Sequence, residues 1–237
     1  MKKSLCTLAL VAASFAAVAQ KPAAVAPAAA AIAAPATNAY TSMMAATIQE
    51  LMSTGEPAQL KQADAKFERA AAVNGKDWLP RYYQAYARLI TCFQSKEEGD
   101  VKDKYLDQAE AALAQAGKLG GDESELLVLQ AYIYQARLGV SPMLRSMKYS
   151  RMVTETLEQA KKANAANPRI YLVQANNVYY TPAMFGGGAE AAKPLYEEAK
   201  KRYAAFKPAS DIAPNWGERQ LTGRLKQYAA APAPAAQ

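Results

Sequence analysis

Histidine is absent from all 237 residues. That removes the commonest general base, the commonest metal ligand and the usual switch near neutral pH together. Cysteine is scarce: Cys6 and Cys92 are the two in the chain. The first of these lies in a segment with the order of a secretory signal. Met1-Lys2-Lys3 is a positive start, Leu5 to Val18 an apolar stretch too short to span a membrane and stay, and Ala17-Val18-Ala19 a small-x-small cleavage site before Gln20. The expectation is a signal peptide over residues 1–19, removed on export to the periplasm. Cys6 leaves with it, and it lacks a lipoprotein cleavage box, so neither a lipid anchor nor membrane insertion of the cleaved chain is expected. Cys92 then has no partner, and no internal disulfide forms even in an oxidising compartment. Stability must come from packing.

Long runs of one charge are also missing. The net charge is +7, and loss of Lys2 and Lys3 leaves +5. The lysines alternate with Glu and Asp, as in "YEEAKKRY", which is the pattern of a solvated helix surface rather than of a nucleic-acid-binding face. No nucleic-acid partner is expected.

Bulky residues are lacking at both ends of the presumed mature chain. Residues 20–39 are an Ala/Pro stretch with no amphipathic period and read as a linker, and residues 229–237 repeat that composition as a disordered tail. This leaves 40–228 as one helical domain of ordinary size.

Within that domain a repeat is present. Four segments share the pattern small-x3-large-x2-small: Ala63, Phe67, Ala70; Ala109, Leu113, Ala116; Val153, Leu157, Ala160; Ala192, Tyr196, Ala199. Spacings of four and three place each triplet on one helical stripe. A second signal, Gln-Ala, recurs at Gln84-Ala85, Gln130-Ala131 and Gln174-Ala175. Phe67 to Ala85, Leu113 to Ala131 and Leu157 to Ala175 each span 18 residues. Each unit therefore contains helix, turn and helix, with small residues allowing close helix approach.

These residues resemble the tetratricopeptide repeat family, whose second helices carry A-x3-F-x2-A; "ADAKFERA" and "AKPLYEEA" match that pattern well. On the first helices the family's Leu-Gly is replaced by Gln-Ala, and its later aromatic is matched by Tyr134, with Arg88 and Val178 elsewhere. The resemblance implies an all-α array (an α-solenoid) of about four irregular antiparallel helix pairs. A final helix around "NWGERQLTGRLKQY" is expected to cap the array, with Trp216 sealing the exposed end of the core. The passage from Asn167 to Ala199, with "APNWG" at 213–217, also resembles the C-terminal portion of a group of exported bacterial tetratricopeptide-like proteins, a resemblance that implies no particular chemistry.

Family units run to about 34 residues, whereas Phe67, Leu113, Leu157 and Tyr196 are separated by 46, 44 and 39 residues. The constant 18-residue step puts the excess in "CFQSKEEGDVKDKY", "RLGVSPMLRSMKY" and "YYTPAMFGGG", at one edge of the array. Part should lengthen the helices and the rest form loops, where binding functions are often placed. Gly186-Gly187-Gly188 precedes a helix but lacks the Lys-Ser/Thr of a phosphate loop and the strand and spacing of a dinucleotide loop, so it reads as a joint. Met184 and Phe185 are expected to tuck that loop against the array.

In the tetratricopeptide family the first helices line a groove for a peptide or partner helix. The resemblance implies that Tyr82, Tyr86, Val128, Tyr132, Gln135, Leu172, Asn176 and Tyr179 point into it, with Arg169 near the rim. Such tyrosine and amide surfaces offer contact area with adaptable hydrogen bonds, although tyrosines at this spacing also serve as packing between helices. Catalysis has no support: the acidic residues near 97–100 and 122–125 sit at turns and helix starts, and Cys92 lacks a histidine. No cofactor and no metal are expected. The function expected is non-catalytic binding or scaffolding with a protein or peptide partner of the cell envelope; the alternative is a periplasmic small-molecule-binding accessory of a solute-uptake system.

Overall fold

The structure is a computed structural model that describes residues 30–230. The signal segment 1–19, residues 20–29 of the linker and residues 231–237 of the tail lie outside the described residues. Nine α-helices and one short 3-10 turn follow one another among the described residues: α1 Ala30–Ser53, α2 Pro57–Val73, α3 Leu79–Gln94, α4 Gly99–Lys118, α5 Glu123–Val140, α6 Pro142–Ala163, α7 Pro168–Tyr180, the turn Ala183–Phe185, α8 Ala189–Ala205 and α9 Glu218–Ala230. Residues 30–39, read from composition as linker, are the first turns of α1.

Local chemistry sets most of these boundaries. Proline stands in the first turn of α2, α3, α6 and α7, where its missing N–H costs nothing. Asp122 caps α5 by accepting from the Glu125 backbone N–H at 2.9 Å, and Asn167 caps α7 by accepting from that of Arg169 at 3.1 Å. Short connections force successive helices to run antiparallel. Each packs on the next, and the first members of the pairs, α1, α3, α5 and α7, also touch in sequence.

The recurring triplets are the seams of this packing. All twelve of their residues are buried, from Ala63, Phe67 and Ala70 on α2 to Ala192, Tyr196 and Ala199 on α8, and so are Ala85, Ala131 and Ala175 facing them. Small side chains let helix axes approach, and the large one fills the gap. The repeated glutamine serves the same seam: Gln84 donates to Asp64 and Glu68 of α2, and Gln130 donates to Glu110 of α4.

The extra residues of each unit mostly lengthen helices. Only Ser141 separates α5 from α6, which run to 18 and 22 residues. The α3–α4 connection is 95–98, and only the α7–α8 connection, 181–188, is a true loop. There the glycines are a joint: Gly186 and Gly188 have φ of 80° and 97°, and a Cβ on Gly187 would lie 2.2 Å from the Thr181 carbonyl oxygen. With the α1–α2 turn, these connections form one edge of the molecule, here termed the long edge.

The long edge is braced by charge. Arg145, near the start of α6, donates two hydrogen bonds to Asp103 of α4 at 2.7 and 2.6 Å. Arg137 of α5 reaches Asp103, Asp107 and Glu110. The Arg145 hydrogen bonds chiefly hold the Asp103 carboxyl below the ordinary carboxylate range, reinforced by the charges of Arg145 and Arg137.

Trp216 does not seal an end of the array. After α8 the chain turns back across the first helices, and the Trp216 indole enters between α3 and α5 at 1% exposure. It stacks on Tyr86 and Tyr132 with ring centroids at 4.9 and 5.7 Å, and its N–H donates to the Tyr82 hydroxyl at 2.7 Å. Gly217 permits the turn: its φ is 107°, and a Cβ there would meet the Tyr203 hydroxyl at 2.0 Å. The C-terminal helix is thus a strap across the tyrosine face as well as a neighbour of α8.

Two outcomes follow. Trp216→Ala removes a fully buried indole and its hydrogen bond and should cost about 3–5 kcal/mol, read by denaturant unfolding, with faster proteolysis within α9; a loss below about 1 kcal/mol would contradict the strap. Asp103 has a depressed pKa, so its contribution is complete above about pH 5 and fades as pH falls through the depressed value. The melting-temperature gap between the native chain and Asp103→Asn should therefore narrow from pH 7 to pH 3; a gap independent of pH would exclude this role.

Candidate functional site

The residues expected in the groove share the face formed by α3, α5 and α7, but much of that face is covered by the chain itself. Tyr82, Tyr86 and Tyr132 lie beneath or beside Trp216, at 0%, 4% and 7% exposure. The Tyr132 hydroxyl donates to Gln220 at 3.1 Å, and the Gln220 amide donates to the Tyr86 hydroxyl at 3.3 Å. Val128 and Leu172 are buried as well. Gln135 donates to the Val173 carbonyl at 3.0 Å and links α5 to α7. Asn176 accepts from the Tyr196 hydroxyl at 2.7 Å, which gives its amide a partner on α8.

Arg169 is not at a rim. It is 1% exposed and paired with Glu125, which also accepts from Tyr82 at 2.9 Å and from the Asn167 amide at 3.0 Å. The guanidinium carbon sits 4.7 Å from the Phe206 ring centroid and 5.9 Å from that of Trp216, so its Nη1, which has no hydrogen-bond partner, lies among aromatic faces. Burial pushes the Glu125 carboxyl up, while Arg169 and Tyr82 pull against it. Cys92 is buried, and burial pushes its thiol up to about 11, away from the thiolate form that nucleophilic chemistry uses.

What the strap leaves open lies towards the long edge. Phe93, at the end of α3, is 43% exposed and packs on Tyr132 at 5.1 Å between ring centroids. The rings Tyr86, Trp216, Tyr132 and Phe93 therefore form a continuous aromatic series from the core to solvent. On the far side, Tyr180 at the end of α7 is 69% exposed. Burial raises the Tyr132 hydroxyl pKa above its ordinary value. Phe93 at the end of α3, and Tyr180 at the end of α7 with Arg224 bonded to it, are thus exposed at the ends of the two first helices that flank α5.

Other apolar side chains stand on the same edge. Met143, Leu144 and Met147 on the first turns of α6 are 97%, 87% and 90% exposed, and Met184 and Phe185 are 82% and 72% exposed. The last two do not tuck the loop against the array as expected: the 3-10 turn and the glycine joint aim them away from it. Among the described residues, seven of the ten exposed large apolar side chains lie on the long edge, where folding alone gives no reason for them. Methionines in such a place form an adaptable surface for an apolar body.

Arg224 of α9 meets the end of α7. Its guanidinium carbon is 3.8 Å from the Tyr179 ring centroid, and its Nη2 donates to the Tyr180 hydroxyl at 3.0 Å. Tyr179, expected in the groove, is therefore half of a cation–π pair. Phe93, Tyr180, Arg224 and the α6 methionines went unnoticed in the sequence because they fall off the repeat stripe; the apolar "PMLRSM" inside a surplus segment was the available signal.

Among the described residues no group of His, Cys, Asp and Glu side chains is placed to hold a metal ion, and no helix is long and apolar enough to cross a membrane. Exposed aromatic rings, flexible thioethers and a guanidinium on one edge are side chains suited to contact with a flat apolar molecule.

No protein-family model and no curated protein matches the chain. Among solved structures, it is similar to the HusA haemophore from Porphyromonas gingivalis, with 37% sequence identity, coverage of 84% of this chain and 97% of that chain, and a TM-score of 0.71. With that identity sustained over nearly the whole of the relative, the chain belongs to the family of the HusA haemophore.

Proposed function

We propose that this chain is an exported, non-catalytic carrier of haem or a closely related porphyrin, built on a tetratricopeptide-like array of helix pairs. The observation that carries the reading is the aromatic series ending at exposed Phe93 beside an uncovered apolar edge, in a chain 37% identical to a haemophore. Of the two functions expected from the sequence, this favours the small-molecule alternative over the protein scaffold.

The chemistry fits. A porphyrin is a rigid planar ring with two apolar faces, and it needs stacking partners and a dry border more than it needs many hydrogen bonds. With no histidine in the chain, the iron has no imidazole to take. On the exposed edge the thioethers of Met143, Met147 and Met184 are of a type that ligates haem iron elsewhere, whereas the Tyr180 hydroxyl is engaged with Arg224. The binding energy then rests mainly on the ring faces.

Ferric protoporphyrin IX titrated into the chain lacking residues 1–19 should give saturable quenching of tryptophan emission and a shifted porphyrin absorption band. The double variant Phe93→Ala, Tyr180→Ala should bind about tenfold more weakly, the value of two aromatic contacts near 0.7 kcal/mol each, while circular dichroism at the titration temperature shows it still folded. Unchanged affinity in the variant would remove this surface as the site. Absence of saturable binding by the native chain would return the apolar edge to the protein-partner reading.

A further inference from the structure

Arg224 ties α9 to the end of α7 without using a carboxylate. Arg137, Arg145 and Arg169 each satisfy their charge with carboxylates that tie helices together. Arg224 has no carboxylate within ion-pair distance among the described residues. Its contacts include the ring faces of Tyr179 and Tyr180, the Tyr180 hydroxyl and the Gln227 amide oxygen at 2.8 Å. Two of its N–H donors are thereby engaged out of the five that a guanidinium carries.

The surroundings hold this cation still. Tyr179 contacts the rings of Tyr180, Tyr196 and Tyr228 edge-on at 5.1, 6.3 and 6.4 Å, and the Tyr228 hydroxyl donates to the Ala189 carbonyl at 2.6 Å, fixing α9 to the start of α8. A guanidinium carbon 3.8 Å from one ring centroid, with hydrogen bonds from both terminal nitrogens, has its remaining donors directed by geometry rather than by chance. It is only half-buried, so those donors reach solvent. A planar fork with a weak hydration shell, held beside apolar surface, is matched to a carboxylate on an otherwise apolar molecule.

On the porphyrin reading, on which this inference rests, we infer that Arg224 receives a peripheral carboxylate of the bound ring and thereby sets the preference for porphyrin acids over uncharged porphyrins. Tyr180 has two functions in this arrangement: its ring faces the ligand's apolar body, and its hydroxyl positions the guanidinium. Orientation follows, because the carboxylate-bearing edge of the ring is drawn towards α9 while the opposite edge meets the methionines of α6.

The test measures affinity for ferric protoporphyrin IX and for its dimethyl ester, in the same dilute detergent, with the native chain, Arg224→Gln and Arg224→Lys. The native chain should prefer the acid about tenfold, the effect of one charge-assisted hydrogen bond. Arg224→Gln should lose that preference by weakening the acid alone, and Arg224→Lys should retain part of it. Equal weakening of both ligands by Arg224→Gln would show a packing role and overturn the inference, as would a native chain that binds both forms equally well. A native chain that binds neither would instead overturn the porphyrin reading, and this inference with it.

Discussion

The insertion of Trp216 over the Glu125–Arg169 pair is the contact on which the arrangement of this protein depends. Taking a glutamate and an arginine out of water costs several kcal/mol for each ion, and the cost is offset only when geometry is good and remaining donors are satisfied. Here Tyr82 and Asn167 complete the carboxylate, and the rings of Phe206 and Trp216 cover the guanidinium. Glu125 belongs to α5, Arg169 to α7 and Asn167 to its N-cap, Tyr82 to α3 and Trp216 to the strap, so one polar cluster fixes the relative positions of three first helices and the C-terminal segment. Removing one charge would leave the other buried and unpaired, which is more damaging than losing both.

On the proposed reading, the strap also decides where a ligand is admitted. By filling the lower part of the tyrosine face it turns an open groove into a core and leaves only the outer end of the aromatic series uncovered. The same segment then carries Arg224 to the border of that opening. Fold and site are therefore coupled through α9: the residue that closes the core and the residue inferred to receive the ligand lie on one short stretch of chain. The surplus length of each repeat acts in the same direction, since it extends α5 and α6 beyond the array and places Met143, Leu144 and Met147 in solvent.

The helical repeat was legible because its signal is local and periodic. Ala63, Phe67 and Ala70 and their equivalents sit four and three residues apart, and a stripe of that kind can only be one face of a helix. The Gln-Ala step marked the facing helices for the same reason. What the sequence could not show was a contact between positions far apart: nothing near Trp216 announces that it meets Tyr82, 134 residues away. The resemblance to a groove-lined family pointed to the face of α3, α5 and α7, where Tyr82, Tyr86 and Arg169 are spent on closing that face. The exposed edge was hidden for a different reason. Phe93 and Met147 lie off the repeat stripe, and exposure is a property of the assembled surface that no periodicity records.

The central claim is that the uncovered end of the aromatic series takes up a porphyrin. The most direct measurement is a map of backbone amide chemical shifts during titration with ferric or metal-free protoporphyrin IX. The account predicts changes concentrated at the end of α3, across the α5–α6 junction, at the end of α7 with residues 183–185, and on α9 around Arg224. Changes confined to the opposite edge, at residues 74–78, 119–122 and 164–167, or no changes at saturating ligand, would contradict it.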